Sequence, residues 1–200
     1  MSQTNNDPVW AAIRKTTVKQ AEHEPVLASF LHATILNHDS LEDALSYQLA
    51  NKLESPTASA LLIREIVEQA LEKSSFISKA VRADIVATYE RDSACDCVST
   101  PLLFYKGFHA LQAYRVANWL WNNERQPLAL FLQNIISTTF SVDIHPAAKI
   151  GKGIMLDHAT GIVIGETAVV DDNVLLCSPS PSAAPVKKPA IDTLKLAKAC

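Results

Sequence analysis

Histidine and cysteine side chains are the first candidates for chemistry in this sequence, because imidazoles and thiolates bind metals and move protons near neutral pH. The chain has six histidines and four cysteines. One residue separates Cys95 from Cys97, and no second pair follows them. This is not the spacing of a zinc site, so we expect no bound metal. His158, in the segment MLDHATG, is competent as a general base, although a polar residue in a turn is often only solvated.

The composition is that of a folded protein with a core. Hydrophobic residues make up 48% of the 200 residues and charged residues 20%. The net charge of −3 lacks the basic character of a general nucleic-acid binder, and no apolar run approaches the ~18 residues of a membrane span. We therefore expect a soluble, cytoplasmic protein that binds neither nucleic acid nor membrane.

The region 1–141 has the apolar periodicity of α-helices and predicts an all-helical N-terminal domain. Ser40, with Asp43 three residues later, is typical of a helix N-cap. The pattern predicts a long helix over 105–121, and Pro127 fits the first turn of the next helix. The apolar residues expected on buried helix faces are Leu62, Ile63, Ile66, Val67, Ala70, Leu71, Phe108, Leu111, Ala113, Val116, Leu120, Leu128, Phe131, Leu132 and Ile135.

From Asp143 onward the pattern changes to a six-residue period, and four of the five glycines of the chain fall within 151–165. This period is typical of a hexapeptide β-helix, in which each coil takes three hexapeptides, about eighteen residues, and the repeated aliphatic residue points inward. The repeated positions are Ile144, Ile150, Leu156, Ile162, Ala168 and Val174. Six hexapeptides make about two coils, so we expect the last coil to have an open edge.

The last zone, 177–200, contains four prolines, four lysines and one aspartate, and the six-residue period stops there. Proline has no N–H to donate to a strand ladder, so regular strands are disfavoured. The predicted fold class is α+β. It comprises an all-helical N-terminal domain at 1–141, an incomplete left-handed parallel β-helix of hexapeptide repeats at 142–176, and a disordered tail at 177–200.

Three blocks of the sequence resemble the serine O-acetyltransferases of the hexapeptide-repeat acyltransferase superfamily, over about residues 9–174. They are AEHEPVLASFLHATILNHDSLEDALSYQLAN at 21–51, STPLLFYKGFHALQAYRVANWLW at 99–121 and VDIHPAAKIGKGIMLDHATGIVIGETAVV at 142–170. The resemblance implies transfer of acetyl from acetyl-CoA to the L-serine hydroxyl, which gives O-acetylserine for cysteine biosynthesis. It implies acetyl-CoA as a co-substrate and no bound cofactor.

The resemblance also implies roles for five residues. His158 matches the catalytic base of the family, and Asp143, in VDIHP, matches the carboxylate that orients this base. Asp92 and Asp157 match the aspartates that bind the serine ammonium group, and Glu166, in IGETA, matches a further acidic position of the active site. Asp143 and His158 are fifteen residues apart, so they can lie close together on neighbouring faces or coils.

The sequence departs from this family after Val174, where members continue with further coils, a glycine-rich loop and an Arg-His pair. Reading permitted codons for residues 182–200 one nucleotide earlier gives GGTGKETGDRHPKISKGV, which resembles the missing segment. We therefore expect a frameshift near 173–176, from a mutation or a sequencing error. The truncated chain would lack most of the acetyl-CoA surface and have little activity.

The resemblance further implies a homo-oligomer, a hexamer built from trimers, although an open coil would disfavour this assembly. Docking of O-acetylserine sulfhydrylase, which uses the C-terminus of the family, should be lost. Two alternatives stay open. One is a non-catalytic truncated chain that retains only oligomerisation through its helical domain, and the other is a hexapeptide acyltransferase for another acceptor, such as a sugar or homoserine.

Overall fold

The computed structural model of the protein describes residues 7–177. A 3-10 turn at Pro25–Leu27 and a π-helical turn at His32–Leu36 flank the short second helix. The α-helices of the described residues are α1 (Pro8–His23), α2 (Ala28–Leu31), α3 (Leu41–Leu53), α4 (Ala60–Lys73), α5 (Ser75–Arg91), α6 (Thr100–Phe104), α7 (Lys106–Asn122) and α8 (Gln126–Phe140). None of them is long and apolar enough to cross a membrane.

Polar side chains explain where several helices begin, because they accept hydrogen bonds from N–H groups that have no partner within the helix. Asp7 caps α1, where its carboxylate accepts from two backbone N–H groups at 3.1 Å. Ser40 Oγ accepts from the Asp43 N–H at 3.1 Å, which confirms the predicted N-cap of α3. Ser59 and Ser74 cap α4 and α5 in the same way.

The predicted long helix is confirmed as α7, and all five apolar residues expected to face inward from it are buried. The prediction for α4 is wrong at Leu62, which is 41% exposed. Only one stripe of α4 packs against the core, and Leu62 lies about 100° around the helix from its neighbour in that stripe. The buried residues of α4 are Ile63, Ile66, Val67, Ala70 and Leu71.

Short parallel strands follow the helices, and together they wind into two coils. The strands of the described residues are β1 (Val142–Ile144), β2 (Lys149–Ile150), β3 (Met155–Asp157), β4 (Ile162–Ile164), β5 (Val169–Val170) and β6 (Leu175–Cys177). In this part of the chain they form three two-stranded sheets, with β1 on β4, β2 on β5 and β3 on β6. Each sheet is one face of the coil. The tail predicted to be disordered lies outside the described residues from position 178 onward.

The coil offset differs from the predicted eighteen residues. Ile144 pairs with Ile164, and Val142 pairs with Ile162, so the first coil takes twenty residues. The two extra residues lie in the corner between β3 and β4, where His158 and Ala159 have φ angles of 52° and 60°. This left-handed backbone accommodates a wider turn than a regular hexapeptide repeat.

The positions of the six-residue period nevertheless all contribute to the core. Those of the first coil and Ile162 are buried, and Ala168 and Val174 are half-buried and pack against the same core. After the corner, the inward positions that continue the ladder are shifted by two residues, because Ile144 pairs with Ile164 rather than with Ile162.

A buried ion pair joins the helices to the first coil. Asp84 of α5 and Arg115 of α7 meet at 2.8 Å, and their side chains are 0% and 2% exposed. Asp84 also accepts from the Ile154 N–H at 2.8 Å, and Arg115 donates to the Gly151 carbonyl at 2.7 Å. Burial raises the pKa of the Asp84 carboxyl, and the Arg115 guanidinium opposes that rise. The turn between β2 and β3 is thus held by two helices.

Two further side chains bind backbone carbonyls of the first coil. Tyr114 Oη donates to the Ala148 carbonyl at 2.5 Å. Arg91, the last residue of α5, donates to the Gly153 carbonyl at 2.9 Å. Side chains of α5 and α7 therefore hold the first coil over residues 148–154, directly before β3 and the corner that carries His158.

Candidate functional site

His158 lies on the corner between β3 and β4, and its side chain is 87% exposed. Its Nε2 atom is 3.8 Å from the Oδ1 atom of Asp157, the last residue of β3. The two are neighbours in the sequence, and the left-handed backbone at His158 turns its imidazole away from the strand. An exposed imidazole beside a carboxylate can accept a proton and be stabilised once it is charged.

The start of α7 packs directly against this corner. A Cβ atom at Gly107 would lie 2.3 Å from the Leu156 carbonyl oxygen, so only glycine allows this approach without a shift. Next to it, Lys106 Nζ donates a hydrogen bond to Thr160 Oγ1, two residues beyond His158. The helical region therefore sets the position of the corner through two adjacent residues.

Asp143 lies on β1, and no hydrogen bond or ion pair joins it to His158 within the described residues. Its Oδ1 atom accepts a hydrogen bond from Gln133 Nε2 of α8 at 2.7 Å. The Gly161 N–H donates to the Ser141 carbonyl at 2.8 Å, which ties the corner to the start of β1. The corner is thus tied to the residue two positions before Asp143, and the Asp143 carboxylate is held by Gln133.

Asp92 follows the last residue of α5 and is fixed by two donors. Tyr105 Oη donates to Oδ2 at 2.8 Å, and the Ala94 N–H donates to Oδ1 at 2.8 Å. Because Tyr105 directly precedes Lys106 and Gly107, Asp92 is linked to the His158 corner through three consecutive residues.

Glu166 is exposed in the turn between β4 and β5, and it makes no hydrogen bond or ion pair with another residue of the described part of the chain. Glu166 is therefore the predicted site residue with the least structural connection to the corner.

Asp157 has a second neighbour, Cys177 of β6, with which it is paired in the ladder. Partial burial and then the Asp157 carboxylate raise the pKa of the Cys177 thiol.

Several residues that shape the site were missed in the sequence. Gly107 carried a usable signal, because it is the one glycine outside 151–165 and lies inside a predicted helix. Arg91, Asp84 and Arg115 have partners 28 to 70 residues away in the chain, so their spacing alone reveals no contact.

A helical region followed by parallel coils, with an exposed histidine and carboxylates at a coil corner, defines the class of hexapeptide-repeat acyltransferases with a helical N-terminal part. The family model described as "Serine acetyltransferase, N-terminal" matches residues 9–113. The chain therefore belongs to the serine acetyltransferase family, which confirms the family expected from the three sequence blocks.

Similar proteins and structures agree with this family. The serine acetyltransferase of Escherichia coli strain K12 is 57% identical over 174 residues, which cover 87% of this chain and 64% of that protein. The chain therefore spans less than two thirds of the length of this relative. A structure described as serine acetyltransferase in complex with CoA has a TM-score of 0.83 and 54% identity, and the match covers 84% of this chain and 72% of that one. Soybean serine acetyltransferase complexed with serine has a TM-score of 0.82 and 50% identity, over 84% and 70% of the two chains.

Proposed function

We propose that this chain carries the acceptor half of a serine O-acetyltransferase site, which transfers acetyl from acetyl-CoA to the L-serine hydroxyl. The observation that carries the proposal is the exposed His158 imidazole on its corner, with the Asp157 carboxylate at 3.8 Å. Relatives with solved structures in complex with CoA and with serine support the choice of substrates.

In the proposed reaction His158 acts as the general base. It removes the proton from the serine hydroxyl while the oxygen attacks the carbonyl carbon of the thioester. A C–O bond forms, the C–S bond breaks, and the proton passes from the imidazole to the leaving CoA thiolate. Asp143 is proposed to orient the imidazole and stabilise its charged form. Gln133 donates to Oδ1 of Asp143, and the carboxylate keeps the capacity to accept a second hydrogen bond from His158.

The acceptor ammonium group is proposed to bind between Asp92 and Asp157. Both carboxylates are partly exposed, so each can accept from an ammonium group while retaining its protein neighbours. Glu166 is proposed only as a further negative charge near the site, because nothing in the described part of the chain links it to His158.

The 200-residue chain is proposed to turn over far more slowly than a complete family member. The second coil offers a half-buried apolar end at Ala168, Val170 and Val174, where a further coil would stack in a longer β-helix. Acetyl-CoA would bind along those further coils, and the resemblance assigns the clamp on the serine carboxylate to the same segment.

A thiol-release assay with acetyl-CoA and L-serine tests the chemistry. We expect a slow rate above background, reduced about 100-fold or more by His158→Ala. His32→Ala is the matched control, because His32 is an exposed histidine of the helical region and its rate should be unchanged. Equal rates for both variants would overturn the role of His158, and turnover at the rate of a complete family member would overturn the proposed low activity.

A second candidate function is association through the helical region without catalysis. Phe30 and Phe104 stack at 6.1 Å between ring centroids and are 36% and 52% exposed, and the nearby Val26 is 92% exposed. An apolar cluster of this kind favours a contact between chains. Sedimentation of the same sample used in the assay separates the candidates, since a non-catalytic association predicts a dimer with no thiol release.

A further inference from the structure

Both oxygens of the Asp92 carboxylate accept hydrogen bonds from residues of the helical region. Tyr105 Oη donates to Oδ2 and the Ala94 N–H donates to Oδ1, both at 2.8 Å. Each carboxylate oxygen can accept more than one hydrogen bond, so capacity for a bound cation is left on both. The bond from Tyr105 is the one that joins Asp92, after the end of α5, to the start of α7.

The Tyr105 hydroxyl can donate this hydrogen bond because it stays protonated at neutral pH. Burial, followed by the hydrogen bond to Asp92, raises the pKa of Tyr105 above its ordinary value, so the hydroxyl keeps its proton at neutral pH. The Ala94 N–H fixes one oxygen within the local turn, and Tyr105 fixes the second oxygen from a different element. Together they define the plane of the Asp92 carboxylate, which a single donor would leave free to rotate.

The residues after Tyr105 connect the same segment to the other half of the site. Lys106 donates to Thr160, and Gly107 lies against the Leu156 carbonyl. Of these three consecutive residues, Tyr105 contacts Asp92, whereas Lys106 and Gly107 contact the corner that carries His158.

From these contacts we infer that Tyr105 is a positioning residue for the acceptor ammonium group, because its hydroxyl holds the Asp92 carboxylate in one orientation relative to the His158 corner. The inference rests on the proposed function, in which Asp92 binds that ammonium. Tyr105 acts through Asp92, to which its hydroxyl donates.

Tyr105→Phe removes the hydroxyl and keeps the ring. In steady-state assays at high protein concentration we expect the KM for L-serine to rise about three- to tenfold. The KM for acetyl-CoA and kcat should stay within about twofold, because the lost bond affects acceptor binding alone. Tyr89→Phe is the matched control, since Tyr89 lies on α5 and its hydroxyl makes no hydrogen bond within the described residues, and it should change neither KM. If rates are too slow, calorimetric dissociation constants for L-serine give the same ratios.

A double substitution shows whether Tyr105 acts through Asp92. Asp92→Ala should raise the serine KM more than Tyr105→Phe, and Tyr105→Phe should add nothing in the Asp92→Ala background. An additive effect, an unchanged serine KM in Tyr105→Phe, or an equal rise in both KM values overturns the positioning role and leaves the proposed function intact. An unchanged serine KM in Asp92→Ala, or a chain that neither turns over nor binds L-serine, overturns both.

Discussion

The two coils are built from the same repeat, yet they are held in different ways. In the first coil Val142, Ala148 and Ile154 are fully buried, and side chains of α5 and α7 bond its backbone. In the second coil the inward residues Val170 and Leu176 are only half-buried. Within residues 7–177, one coil thus lies between the helices and a neighbouring coil, whereas the other has a neighbouring coil on one side only.

This difference indicates that contacts with the helical region stabilise the first coil in addition to its own repeats. A coil in a solenoid buries its core only against the units on either side. Here the helices act as the first of those units through a buried polar network as well as apolar packing. Asp157 and His158, the proposed site residues, follow the segment that this network holds, so the geometry of the proposed site depends on the contacts that anchor the first coil.

The largest expected effect is at the buried ion pair. Asp84→Ala leaves the Arg115 guanidinium buried without its partner and also removes the acceptor of the Ile154 N–H. Removing one member of a buried pair costs about 3–5 kcal/mol of unfolding free energy. Urea unfolding followed by circular dichroism measures this change.

Asp171→Ala is the control for this substitution, because Asp171 is an exposed aspartate of the second coil that makes no hydrogen bond within the described residues. It should shift the unfolding free energy by less than about 0.5 kcal/mol. Similar losses for the two variants would contradict the view that the helices anchor the first coil.

The next largest expected loss of unfolding free energy is at two leucines that pair across the coils. Leu156 of β3 is 7% exposed, and its ladder partner Leu176 of β6 is half-buried. Leu156→Ala should cost about 2–4 kcal/mol and Leu176→Ala about half as much or less, because less apolar contact is lost at the open end. Equal costs, measured by the same unfolding assay, would show that the end of the second coil is covered in solution.

Regular periodicity made most of the fold predictable. The helical region, the N-cap at Ser40, the long helix α7 and the strand-rich coils all follow from local patterns. The twenty-residue coil was missed because the corner at His158 and Ala159 breaks the period through backbone conformation, for which neither residue type is a signal.

The candidate site was predictable to a smaller degree. Resemblance named Asp92, Asp143, Asp157, His158 and Glu166. The structure links Asp157 to His158 directly and Asp92 to the corner through Tyr105, and it shows no bond from Glu166 within the described residues. The contact between Asp143 and Gln133 was not predictable, since no sequence pattern indicates which acceptor the side-chain amide of a helical residue will bond. Long-range polar contacts therefore account for most of what was missed.

The smallest expected loss of unfolding free energy comes from a substitution at the contact between α7 and the corner. Gly107→Ala should gain about 1 kcal/mol from helix propensity, but its Cβ would lie 2.3 Å from the Leu156 carbonyl oxygen, and backbone cannot give way cheaply. We expect a net loss of about 1–2 kcal/mol in the unfolding assay. Gly165→Ala is the matched control, because no atom lies within 4 Å of a Cβ placed there, and it should be neutral or slightly stabilising. A stabilised Gly107→Ala variant would show that the corner is not held against α7, and that the helices anchor the first coil only as far as the β2–β3 turn.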